Sequence, residues 1–205
     1  GSIILTVGGG TLNYSFLWNN GAVTQNLYGV SSGSYSIDIF DGNDCPLTKN
    51  TIVTEPSEII SSPLPIITDL QCYQDGTGSI DVSITGGTPS YDYSWNNGDT
   101  TSDISNLSSG TYVITITDAN DCPYIASFIV KEPALLEISY DKTHVDCYSN
   151  STGAVDITVS GGTQLYSFDW SNLSSNEDLQ NIPAGNYDVT VTDANNCLAL
   201  ISVII

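Results

Sequence analysis

Residues 104–130 read ISNLSSGTYVITITDANDCPYIASFIV, and the fold turns on this stretch. Tyr112, Ile114 and Ile116 alternate with Val113, Thr115 and Thr117, the period-two pattern of a half-buried strand. Asp118-Ala119-Asn120-Asp121 supplies residues that tolerate positive φ, which predicts a tight hairpin loop. Residues 122–130 then predict the returning strand. Ahead of them, Leu107-Ser108-Ser109-Gly110-Thr111-Tyr112 has the form of a tyrosine corner, in which the Tyr hydroxyl bonds back to the backbone of the preceding loop.

Outward from this hairpin the same grammar continues. Residues 66–70 predict a first strand after the Pro63-Leu64-Pro65 punctuation. Ile80, Val82 and Ile84 alternate with Asp81, Ser83 and Thr85 as a second strand, which Gly86-Gly87-Thr88-Pro89 interrupts. Tyr91, Tyr93 and Trp95 form the aromatic inner face of a third, and Ile104 and Leu107 lie in a short edge segment. Helical periodicity is absent throughout. About seven short strands with turns every 8 to 12 residues predict an all-β, immunoglobulin-like sandwich.

The unit occurs three times. Gly9-Gly10-Thr11 returns as Gly86-Gly87-Thr88 and Gly161-Gly162-Thr163, at steps of 77 and 75 residues (86 − 9 and 161 − 86). Trp18, Trp95 and Trp170 follow in register, then Tyr35, Tyr112 and Tyr187, each assigned a structural role. Asp41, Asp118 and Asp193 come next, with Cys45, Cys122 and Cys197 four residues later. A period this long is one small domain rather than a solenoid unit. The expected domains are 1–57 (first repeat, lacking its N-terminal strand), 58–133 (a complete repeat) and 134–205 (cut near its last strand), a window on a longer array. The two-residue difference between steps falls in the linker and first strand. The connections Glu55-Pro56 and Glu132-Pro133 are short and Pro-stiffened, which predicts limited bending and an extended rod.

Composition excludes several functions. Lys and Arg number 3 against 23 Asp and Glu, a net charge of −20, so too few cations are available to replace phosphate counterions on nucleic acid. No stretch approaches the roughly 20 apolar residues of a membrane span. Only 13% of residues are charged and 40% are apolar, a folded β composition rather than an acidic tail.

Cys72 and Cys122 are 50 residues apart, as are Cys147 and Cys197. This periodicity in small acidic β domains points to an oxidising, extracellular setting, with pairs Cys72–Cys122 and Cys147–Cys197 and with Cys45 unpaired. A difficulty accompanies that pairing. In an immunoglobulin topology the two cysteines of one repeat stand at opposite poles, whereas a disulfide needs Cα atoms within about 7 Å. Either the first strand is placed differently or the bond links neighbouring domains.

No catalytic constellation is present: His144 stands alone, without counterparts in the other repeats. The row Tyr91, Tyr93, Trp95 suits either core packing or a sugar-stacking platform; its Tyr/Phe exchange at Phe16 and Phe168 favours packing. Residues 96–101, which differ between copies, are the expected exposed turn. No cofactor is expected. Calcium is the one ligand that the composition invites, with Asp118, Asn120, Asp121 and Asp75 as candidate oxygen donors.

The run from Gly86 to Pro133, GGTPSYDYSWNNGDTTSDISNLSSGTYVITITDANDC ending in KEP, resembles the SprB-type repeat family of gliding-motility adhesins of Bacteroidota. The other copies match more loosely, with Leu12 and Gln164 at the position of Pro89 and Leu173 at that of Gly98. The resemblance implies an extracellular, outer-membrane-associated array, exported by the type 9 secretion system and used in adhesion or gliding. Its partners would be extracellular surfaces or polysaccharides, neighbouring repeats of the same chain, and the secretion machinery during export. The expected function is therefore a non-catalytic spacer or weak multivalent adhesive. A carbohydrate-binding accessory region of a secreted polysaccharide-degrading enzyme is the alternative, and a calcium-rigidified stalk a third reading.

Overall fold

The computed structural model describes residues 1–147 and 149–205. All regular structure among them is β, in open sheets, and forms tandem immunoglobulin-like sandwiches. The chain divides into two compact units, Gly1–Glu58 and Ile59–Ile205.

The second unit holds two complete pairs of sheets. In the first pair, Gly78–Asp81 lies between Ile66–Thr68 and Ile104–Leu107, while Gly110–Asp118 lies between Tyr91–Trp95 and Pro123–Val130. The next repeat copies the arrangement. Gly153–Ser160 sits between Glu137–Thr143 and Leu179–Ile182, and Asn186–Thr192 between Ser167–Trp170 and Leu198–Ile204. All pairings are antiparallel. In the first unit, Gly33–Phe40 pairs with Ser15–Trp18 and Pro46–Val53, opposite a short pair of Ser2–Ile3 with Leu27–Tyr28.

The two-residue difference in repeat length has a structural counterpart. The first strand of the third repeat is continuous over Glu137–Thr143. Its counterpart is broken into Ile60–Ser61 and Ile66–Thr68, because Pro63 and Pro65 lack the N–H that a ladder requires. The first strand also ends earlier than residue 70, since the Leu70 N–H leaves the sheet to donate to Lys131 O at 2.9 Å.

Each sandwich closes on its tryptophan. Trp18, Trp95 and Trp170 are 2%, 3% and 1% exposed, and each donates from Nε1 to a loop carbonyl (Thr24, Thr101 and Asn176) at 2.8–2.9 Å. Tyr91 and Tyr93 pack against the same core as Trp95, with Ile80, Ile114, Ile116 and Val130. The aromatic row is thus packing, not an exposed stacking platform. The tyrosine corners form as expected: Tyr35, Tyr112 and Tyr187 donate to Ser31, Ser108 and Pro183 carbonyls at 2.9, 2.9 and 3.0 Å.

Candidate functional site: the clasp between repeats

The Asp that follows each tyrosine strand is an anchor for backbone N–H groups. Asp118 accepts the N–H of Thr88 at Oδ2 (2.8 Å) and those of Asn120 and Cys122 at Oδ1 (2.9 Å each). Asp193 does the same with Thr163, Asn195 and Cys197 at 2.7, 2.8 and 2.9 Å, and Asp41 with Thr11, Asn43 and Cys45 at 3.0, 2.9 and 3.0 Å. The carboxylate therefore joins the Gly-Gly-Thr loop to the hairpin loop. It also explains the second glycine. A Cβ on Gly87 or Gly162 would stand 3.0 or 2.7 Å from that carboxylate, and both backbones have positive φ. The residue before each hairpin cysteine (Asp44, Asp121, Asn196) takes left-handed φ of 57–66°, as the Asp/Asn-rich loop predicted.

Asp118 and Asp193 are buried, 4% exposed each. The N–H groups of Cys122, Thr88 and Asn120 hold the Asp118 carboxyl below its usual value. At Asp193 burial pulls upward, but the N–H groups of Thr163, Cys197 and Asn195 outweigh it and leave the carboxyl lowered. The Asp118 charge in turn pushes the Cys122 thiol up.

Of the four oxygen donors named for calcium, Asp118 spends both oxygens on N–H donors. Asn120 donates from Nδ2 to Thr88 Oγ1 at 2.8 Å, and Asp121 is exposed at the hairpin tip. Asp75 lies in a different turn, where it accepts the N–H groups of Cys72 (2.7 Å) and Thr77 (3.0 Å). The structure does not gather the four into one site. His144 is exposed just after the strand Glu137–Thr143, and residues 96–101 are exposed throughout.

The disulfide expectation is corrected. Cys72 bonds Cys197, with Cα atoms 5.6 Å apart; Cys72–Cys122 and Cys147–Cys197 do not form, and Cys45, Cys122 and Cys147 are free and exposed. The reason is the polar placement. The Leu70–Lys131 hydrogen bond sets the Cys72 turn beside the end of strand Pro123–Val130, while Cys122 precedes its start. Eight residues at about 3.4 Å each separate them by roughly 27 Å.

The linker delivers the next repeat's hairpin loop to that turn. Lys131 donates its N–H to Asp69 (2.8 Å), Glu132 accepts the N–H of Gln74 (3.0 Å), and Gly162 donates to Ala134 O (2.9 Å). Asn195 Nδ2 then reaches Gln71 O at 2.9 Å beside the disulfide. Cys72, Tyr73, Pro133, Leu136, Cys197 and Leu198 line a cleft of about 340 Å³ at this clasp. The linker and loop contacts could not be foreseen from one repeat; the signal was the joint recurrence of Gly-Gly-Thr with Asp and Cys four residues apart.

Residues 1–23, 65–100 and 139–175 match the model of the SprB repeat. No curated protein matches the chain. Among solved structures it is similar to extracellular domains 3–5 of Drosophila OTK, at 13% identity and TM-score 0.33, over 95% of this chain and 85% of that one. It is similar also to the N-terminal eight Ig domains of Down Syndrome Cell Adhesion Molecule isoform 1.30.30, at 11% identity and TM-score 0.36, over 98% of this chain but only 33% of that one. Extracellular cadherin domains 1–4 of protocadherin gamma B7 match at 16% identity and TM-score 0.37, over 94% of this chain and 66% of that one.

Proposed function

We propose that this chain, which matches the SprB repeat over three segments, is part of the repeat region of a cell-surface protein and serves as a rigid, non-catalytic spacer of a large adhesin. The observation that carries the reading is the clasp. The second and third repeats are joined by a disulfide, by the Asn195–Gln71 bond and by a linker whose N–H and carboxylate groups are hydrogen-bonded. A joint so constrained resists bending, which suits projection of a binding region away from the cell. The setting is oxidising and extracellular, at the outer membrane, with export by the type 9 secretion system and a role in attachment or gliding.

The exposed, copy-variable turn at residues 96–101 is the surface through which the repeats would add weak multivalent binding to polysaccharides or abiotic surfaces. The alternative as a carbohydrate-binding accessory loses its best platform, since the Tyr91, Tyr93, Trp95 row packs in the core. Small-angle scattering tests the spacer: an extended particle is expected, and a compact, bent one would overturn the reading. Retention on a panel of insoluble polysaccharides, lost on replacing residues 96–101, would assign adhesion to the repeats. Release from every surface would confine them to spacing.

A further inference from the structure

We propose that the Cys147 turn and the Cys45 and Cys122 loops are halves of a disulfide lock that recurs along the array, in which the cysteine turn of each repeat bonds the hairpin-loop cysteine of the repeat that follows. The proposal extends the array reading, and rests on it only for the existence of adjoining repeats.

Both kinds of half are present in more than one copy and are built alike. In the Cys72 turn, Thr77 Oγ1 accepts the Gln71 N–H (3.4 Å), the Asp75 N–H returns to Cys72 O (3.4 Å), and Gln74 has φ 55°. In the Cys147 turn, Thr152 Oγ1 accepts the Asp146 N–H (3.0 Å), the Asn150 N–H returns to Cys147 O (3.1 Å), and Ser149 has φ 66°. The loops of Cys45 and Cys122 repeat the Asp anchor of the Cys197 loop, and Asn43 and Asn120 hold the threonine hydroxyl as Asn195 does. Asn195 spends its remaining amide hydrogen on the incoming Gln71 carbonyl. Among the described residues the same hydrogen of Asn43 and Asn120 has no such acceptor, and Cys45 and Cys122 are exposed beside it.

Where this chain carries a turn and the next repeat's loop together, they are bonded, 125 residues apart. The same separation taken forward from Cys147 passes residue 205, and taken back from Cys45 or Cys122 it passes residue 1. Each free thiol holds the place in its repeat that Cys72 or Cys197 holds in the bonded pair, and an adjoining repeat would supply its complement. Joining two such thiols releases two protons and two electrons. An oxidant of the disulfide class accepts them: oxidised glutathione leaves as two glutathione thiols while one Sγ–Sγ bond forms.

The test uses the full chain with Cys122→Ser, extended after Ile205 by a second copy of residues 54–130 carrying Cys72→Ser. The extension continues the register, since Thr54 stands where Lys131 stands after Val130. The only Cys122 peptide then comes from the added repeat. After equilibration in a glutathione redox buffer, non-reducing peptide mapping is expected to find Cys147 joined to the added Cys122 in the same molecules that hold Cys72–Cys197. The assignment is overturned if both thiols stay alkylatable while Cys72–Cys197 forms, if Cys147 joins another cysteine, or if the bond runs between chains. Should the added repeat fail to bury its tryptophan, a second copy of residues 131–205 replaces it, carrying Cys147→Ser and, to mark its cysteine loop by mass, Asn196→Asp, under the same outcomes for that marked loop. Surface retention and particle shape are read separately, so failure of the lock is distinguishable from failure of the adhesin reading.

Discussion

Asn195 Nδ2 stands 2.9 Å from the carbonyl oxygen of Gln71, one residue before Cys72, while Cys197 follows two residues after Asn195. This amide aligns the two cysteine-bearing segments across the clasp. Asn195→Ala removes a neutral hydrogen bond of about 1 kcal/mol, so the equilibrium for closing Cys72–Cys197 in a glutathione buffer should fall roughly fivefold. Asn120→Ala, in the corresponding loop without a partner, should leave that equilibrium unchanged. Quantitative alkylation across a redox titration measures both.

Native alkylation should label Cys45, Cys122 and Cys147, and reduction should add Cys72 and Cys197. Cross-linking positions 125 apart removes loop entropy from the unfolded chain equivalent to about 5 kcal/mol, an upper bound on the loss of stability in Cys197→Ser. Cys122→Ser should shift stability by less than about 0.5 kcal/mol. Urea unfolding of the two variants separates these outcomes.

The anchoring aspartates set an acid limit. Their folded values lie below the ordinary 3.8, so the ionised carboxylates stabilise the fold in full above that value. Stability should fall as pH drops below about 4 and passes through the lowered folded values. Asp193→Asn should flatten this acid slope while lowering Tm at neutral pH. Thermal melts between pH 2 and 7 provide the measurement.

Tyr112→Phe removes the corner bond to Ser108 O while keeping the ring, and should lower stability by about 1 kcal/mol. Tryptophan emission should be blue-shifted and poorly quenched by acrylamide, because all three indoles are 3% exposed or less. Strong quenching in the native state would contradict the core assignment.

Leu173 has φ 68° and is 93% exposed, at the turn position that Gly98 and Gly21 fill with φ 96° and 86°. A left-handed non-glycine residue costs about 1–2 kcal/mol, while glycine loses some of that gain to the flexibility of the unfolded chain. Leu173→Gly should therefore raise stability by about 0.5 kcal/mol, measurable as a higher urea midpoint at unchanged slope.

Local pattern made much of the fold legible. Alternation of Tyr112, Ile114 and Ile116 placed a strand, Asp118 to Asp121 a hairpin, and Gly110 to Tyr112 a tyrosine corner, because each rests on contacts within a few residues or across one turn. The role of Asp118 was less visible. Asp/Asn in a loop reads equally as turn chemistry or as a cation ligand, and only the approach of Gly87-Thr88, some thirty residues away in sequence, assigns its oxygens to N–H donors.

By itself the sequence determined the repeat, its period, its strands and the aromatic core, all of which follow from side-chain periodicity. Only the tertiary structure decided which cysteines meet. Within one repeat, a strand of eight residues holds Cys122 far from Cys72, whereas the hydrogen-bonded linker from Lys131 to Ala134 carries Cys197 to within 5.6 Å. Equal spacing along a chain is compatible with either pairing; the length of a strand and the direction of a linker admit one.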